Sequence, residues 1–313
     1  MSIYAERSKR IITEGEINPK NMRIYNKYKQ NMVMRGLSEK SIYNYEKDLF
    51  SWFRFLNYNQ YDLLIEDVTQ DDLEEYFFYR MNEGNNHNRI KRMMSSISAM
   101  YIFLRKKKLV QENPMEFIDR PKKGKPVTIQ TYLTIEQVDL MKQKLKENND
   151  LMLETYALFS LSTMARVTAV SNTKWSQIDF EECVVNDVLE KGDKIVTLMF
   201  NEEVRDLLLK LKEEREKNNI QCEYVFASKY KDKWDKVTPS TMSEWCKKIG
   251  KMIDTPLHCH DFRHSGATLL KNMGMPLEDV SEILNHASTE TTRNFYIKID
   301  NKKLKDSKAK YGI

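Results

Sequence analysis

The chain of 313 residues has no apolar run approaching the roughly 20 residues that a bilayer-spanning helix requires. Its polar start, with Ser2, Glu6, Arg7, Lys9 and Arg10, also lacks the apolar segment of a secretory leader. These absences set the expectation of a cytoplasmic protein with no membrane partner. Cysteine is scarce. Cys183, Cys222, Cys246 and Cys259 are scattered and form no C-x-x-C pair, so neither a disulfide framework nor a thiolate zinc site is implied. No internal repeat recurs. A dominant charge sign is missing as well, since Lys and Arg number 51 against 46 Asp and Glu, a formal +5. That excess is compatible with a polyanionic partner but too small to establish one, and the distribution has to decide.

What is present is a globular composition, 41% hydrophobic and 31% charged, which implies packed cores under a heavily charged surface. The length suits two domains, each able to bury its own core. After a polar leader over 1–19, a helical pattern begins near Met22. Ser38 then caps a helix whose Ile42, Tyr45, Leu49, Trp52, Phe53 and Leu56 recur at helical spacing. Thr69 with Asp72 forms a capping-box pattern opening a third helix, and a fourth runs from about Asn86 to Lys107. Residues 20–118 therefore read as an all-helical domain.

Positive charge gathers on that fourth helix and its sequel, from Arg89, Lys91 and Arg92 through Arg105 to Lys122, Lys123 and Lys125. Those seven are the candidate residues for contacting a polyanion. Pro114, Pro121, Pro126 and Gly124 interrupt helical periodicity there, and 119–131 reads as an extended basic linker with the boundary near 125. From 132 to 313 helices resume, opening on Thr134 with Gln137 and broken by "CVVNDVLEKGDKIVTLMF", a β-rich stretch around a Lys191-Gly192-Asp193-Lys194 turn. The second domain is thus mainly helical with a small sheet.

The chemistry sits in the second domain. In "HCHDFRHSGATLL" the offsets of three and four residues place His260, Arg263 and His264 on one helical face, leaving Ala267 and Leu270 for packing. Arg166 follows an apolar helix, Lys191 lies at the hairpin tip, His286 stands in "LNHAS" and Tyr296 in "TTRNFYIKI". Taken singly, each has a bland structural explanation. Together they compose a metal-free kit for attacking a phosphodiester: guanidinium forks to hold phosphate oxygens, imidazoles to hydrogen-bond or move a proton, a lysine to protonate a leaving oxygen and a tyrosine to attack.

In "STMARVTAVSNTKWSQID", "LEKGDKIVTLMF", "HCHDFRHSGATLL" and "LNHASTETTRNFY", taken in order, the sequence resembles the tyrosine recombinases, or phage integrases, over nearly its whole length. The resemblance implies Arg166 and Arg263 as phosphate-binding arginines, His260 and His286 as the histidines, Lys191 as the hairpin lysine and His264 as a supporting residue. It also implies a fold: an N-terminal helical, SAM-like core-binding domain and a mixed α/β catalytic domain of the DNA breaking-rejoining type. The implied activity is site-specific recombination through a 3′-phosphotyrosyl intermediate, with no metal or other cofactor. The implied partners are double-stranded DNA with inverted-repeat sites and other copies of the chain, as a tetramer in synapsis and a monomer or weak oligomer when free. A directionality factor is a candidate further partner.

The chain departs from the family at several positions. The family tyrosine usually stands nine residues past the last motif histidine, where this chain has Phe295. Either Tyr296 attacks from a register one residue longer, or position 295 is the slot and this copy has lost its nucleophile. Gly-Leu usually precedes the first arginine and an acid soon follows it; here Met164-Ala165 precede Arg166, and Ala169 occupies the acid's place. Asn285 and Phe262 replace the usual glycine and leucine. Lys194 is the alternative to Lys191, because hairpin register is not fixed by sequence. Two rival readings stand beside the enzyme: a catalytically inactive DNA-binding accessory protein, and a zinc site using His260 and His264.

Overall fold

The computed structural model describes residues 17–122, 132–190 and 194–285. The chain divides into two compact units, Met1–Thr128 and Ile129–Ile313. Each has its own apolar core.

Four helices make the described part of the first unit: α1 (Pro19–Met34), α2 (Glu39–Asn59), α3 (Gln70–Asn82) and α4 (His87–Lys106). Their starts follow from side chains that satisfy orphan backbone N–H groups. The Ser38 hydroxyl accepts from the Ser41 N–H and the Asn86 side chain from that of Arg89. The capping box expected at Thr69 and Asp72 is formed. Tyr25, Tyr28, Trp52, Phe53, Tyr76 and Tyr101 are all buried, so this core is markedly aromatic.

The second unit begins with α5 (Ile135–Asn148), opened by the Thr134–Gln137 capping box, and α6 (Leu151–Thr163), whose apolar residues are buried nearly all round. Short helix α7 (Val167–Asn172) follows, then β1 (Ile178–Asp179), β2 (Val184–Leu189) and β3 (Ile195–Met199) in one antiparallel sheet of that order. The expected hairpin is therefore β2–β3. A bulge between Val185 and Val188 puts Asp187 at φ +54°.

Helix α8 (Glu202–Lys217) is followed by a second hairpin, β4 (Ala227–Tyr230) with β5 (Lys233–Lys236), which the sequence reading lacks. Its Lys231-Asp232 turn has φ +44° and +63° without a glycine, so the usual hairpin signal is absent. Three helices complete the described chain: α9 (Pro239–Met252), α10 (Cys259–Asn272) and α11 (Leu277–Ile283). Pro276 is the N-cap of α11. Among the described residues no helix is long and apolar enough to cross a membrane.

Candidate active site

The site is built where α6, α7, the β2–β3 hairpin and α10 meet. Helix α6 stops because Met164 takes a left-handed conformation, φ +52°, and the chain turns sharply before Arg166 opens α7 in extended geometry. The family resemblance noted from the sequence implies a glycine where Met164 stands. The backbone retains the conformation a glycine adopts without strain, and the methionine side chain packs with Ala267, Val280 and Leu284. Apolar burial thus offsets a left-handed penalty of about 1 kcal/mol.

Helix α10 starts with a reciprocal cap: Asp261 accepts from the His258 backbone N–H at 2.7 Å and lies 3.2 Å from its Nδ1. The helix then packs so closely on α6 that a Cβ on Gly266 would stand 2.5 Å from the Leu161 carbonyl oxygen. Only glycine fits there. Ser265 fixes the helix further, its hydroxyl accepting from Leu133 N–H at 2.8 Å.

This packing carries Arg263 to the Arg166 turn. Arg263 is only 3% exposed, and its guanidinium donates to the Met164 carbonyl at 2.8 Å and the Leu284 carbonyl at 2.5 Å. One side chain therefore ties α10 both to the turn two residues before Arg166 and to the segment two residues before His286. Both of these acceptors are neutral carbonyls. His260 and His264 meet edge to face with ring centroids 5.1 Å apart. Burial holds the His260 pKa below its usual value, and the positive charges of Arg263 and Arg166 lower it further. His264 is lowered by burial and then by His260. Both shifts favour the neutral imidazole, the state that accepts a proton.

Arg166, its side chain 32% exposed, is paired with Glu190, whose side chain is 3% exposed at the end of β2. Sequence reasoning missed Glu190 because it reads as part of a polar turn. The available signal was register: beyond the bulge, alternation from buried Val188 points position 190 inward as well.

The family model described as "Phage integrase family" matches residues 131–303, more than half of the chain, and "Phage integrase, N-terminal SAM-like domain" matches 26–108. The chain belongs to the phage integrase family. It is similar to tyrosine recombinase XerC of Pediococcus pentosaceus, with 28% identity over 309 residues, covering 93% of this chain and 98% of that protein. Tyrosine recombinase XerD of Halalkalibacterium halodurans is 25% identical, covering 89% of this chain and 93% of its own. Among solved structures, a lambda integrase dimer bound to a COC′ core site has a TM-score of 0.71 at 17% identity, covering 89% of this chain and 96% of that one. The XerH site-specific recombinase bound to palindromic difH substrate also gives 0.71, at 18% identity, covering 89% and 82%. At those identities the likeness to the structures is one of fold.

Of the integrase-family residues expected from sequence, Arg166, His260, Arg263 and His264 come together. Lys191, His286, Phe295 and Tyr296 lie outside the described residues, as do Lys123 and Lys125. Lys194, the alternative lysine, is exposed at the hairpin, where its carbonyl accepts from Glu190 N–H at 2.7 Å. In the first unit Arg89 and Arg92 converge on buried Asp48, and Arg105 pairs with Glu116 at 3.2 Å. Lys122 is exposed and Lys91 half-buried. Among the described residues no three His, Cys, Asp or Glu side chains gather as a metal site, so the zinc reading finds no third donor there.

Proposed function

We propose that this chain, a site-specific DNA recombinase of the tyrosine class, cuts and rejoins DNA with Arg166, His260 and Arg263 arranged around one scissile phosphate. The observation that carries the assignment is the Arg263 contact to the Met164 carbonyl, which brings both arginines and His260 to one turn of the chain. Two guanidiniums there offset charge developing on the non-bridging oxygens, and fixed donors in a water-poor site act most strongly in the transition state.

The Tyr296 oxygen attacks phosphorus, forming the 3′-phosphotyrosyl bond as the phosphorus–5′-oxygen bond breaks. The tyrosine proton passes to a neutral imidazole, His260 or His286, and the departing 5′-oxygen takes a proton from Lys191. A 5′-hydroxyl of another strand then reverses the step, expelling Tyr296. Bond energy is conserved, so no nucleotide cofactor enters. We assign residues 20–118 as the core-binding domain, 119–131 as a basic linker and 132–313 as the catalytic domain. Arg89, Lys91, Arg92, Arg105, Lys122, Lys123 and Lys125 face duplex DNA carrying inverted repeats. Four copies form the synapse, with a directionality factor as a further partner. Relatives that bear recombinase names across nearly the full length favour the enzyme over an inactive accessory protein.

A suicide substrate, nicked beside the cleavage position and built on inverted repeats flanking the gene, tests the nucleophile. The wild-type chain is expected to become covalently trapped and Tyr296→Phe to bind without trapping. Trapping seen only in Phe295→Tyr would overturn the assignment and identify a chain that has lost its nucleophile.

A further inference from the structure

We propose that Glu190 is a positioning residue for Arg166, coupling the orientation of that arginine to the hairpin that carries Lys191. The proposal rests on the recombinase reading above. Its observation is an ion pair between an almost fully enclosed carboxylate and an arginine whose side chain is a third exposed. An enclosed carboxylate is strongly disfavoured when left unpaired, so this one is retained only together with its arginine.

The helix that Arg166 opens cannot supply the carboxylate itself. Helix α7 reads Val-Thr-Ala-Val-Ser-Asn, and Ala169, the position on its first turn where an acid is expected, is fully buried with only a methyl group to offer. Among the described residues Glu190 is the acid paired with Arg166, and it comes from the neighbouring strand. The strand and helix are fastened at the other end too, because Asn172 Nδ2 at the end of α7 donates to the Leu189 carbonyl at 3.0 Å. Arg166 at one end of α7 and Asn172 at the other thus grip consecutive residues, Glu190 and Leu189.

Two consequences follow for the chemistry. Glu190 accepts from Nη1 of the planar guanidinium, a charge-assisted contact that restricts the direction of a side chain that otherwise has four free torsions. Glu190 is also covalently joined to Lys191, and its N–H is held by the Lys194 carbonyl across the turn. The direction of Arg166 is therefore tied to the strand end from which Lys191 follows in sequence.

The test is single-turnover cleavage of the nicked substrate at saturating DNA, with DNA affinity and thermal midpoint measured in parallel for wild type, Arg166→Ala, Glu190→Gln and Glu190→Ala. A small misplacement of a reacting group costs on the order of 100-fold, so Glu190→Ala is expected to slow cleavage by about that factor and Glu190→Gln by about 10-fold. Affinity should stay within about 3-fold, since the direct phosphate contact remains. Glu190→Gln is nearly isosteric and decides the matter if Glu190→Ala fails to fold. Wild-type cleavage rates in Glu190→Gln, or a rate loss matched by equal losses of affinity and thermal midpoint, would overturn the positioning role. Failure of the wild-type chain itself to trap DNA would instead overturn the recombinase reading.

Discussion

Each unit encloses one carboxylate against arginine, and the two enclosures serve opposite ends. In the first unit Asp48 of α2 is 1% exposed and accepts from Arg89, from Arg92 Nε at 3.2 Å and Nη2 at 2.9 Å, and from the Ser96 hydroxyl at 2.9 Å. All three partners lie along one stripe of α4, so a saturated acid clamps two helices. In the second unit Glu190 engages a single arginine at a turn and leaves it a third exposed. In the first case the arginines serve the acid; in the second the acid serves the arginine. Charge alone does not separate a structural guanidinium from a reactive one. Partner number and exposure do. Arg89 and Arg92 can meet DNA only with the portions that Asp48 leaves accessible, 27% and 52% of their side chains.

The sharpest way to break this contrast is to remove the first acid. Asp48→Ala leaves two partly exposed guanidiniums around a vacated pocket, and losing the charged acceptor of such hydrogen bonds costs roughly 1–3 kcal/mol. Denaturant titration is expected to show a loss of that size, with cleavage at saturating DNA unchanged in whatever fraction stays folded. Unaltered stability would remove the clamp from the account. Gly266→Ala probes the scaffold behind the second enclosure. Its new methyl group meets the Leu161 carbonyl oxygen, a backbone atom that cannot rotate away, so about 1–3 kcal/mol should be lost. A neutral result in thermal unfolding would mean that α10 and α6 are less tightly apposed.

The smallest expected effect is one of pH. Both His260 and His264 have pKa values held below the ordinary 6.5 in the folded chain, so the unfolded chain binds more protons as pH falls through 6.5. Stability contributed by the neutral imidazoles is present above 6.5 and declines below it. His264→Gln should flatten that decline, read as the slope of unfolding free energy between about pH 5 and 7. An unchanged slope would argue against the burial of that ring.

Much of this was legible in the amino-acid order, for identifiable reasons. The helices of the first unit announce themselves through period and caps, as at Ser38, Thr69 and Asn86, because local hydrogen bonds at a helix start need only three or four residues. The face shared by His260, Arg263 and His264 follows from helical offsets. Glu190 and Asp48 were missed, since each is explained by a partner 24 to 48 residues away, and no local pattern announces a long-range ion pair. The β4–β5 hairpin was missed because its left-handed turn uses Lys231 and Asp232 instead of glycine or asparagine. Arg263 was expected to present itself to a phosphate; its near-complete burial follows from tertiary packing alone.

The proposed mechanism turns on Arg166 balancing charge at the phosphorus under attack. It is tested most directly by comparing wild type with Arg166→Ala on two nicked substrates, one with an ordinary scissile phosphate and one with a neutral methylphosphonate in its place. Loss of a transition-state donor costs about 100- to 1,000-fold, and that penalty is expected on the phosphate but to shrink to about 10-fold or less on the uncharged linkage. An equal penalty on both would contradict the account.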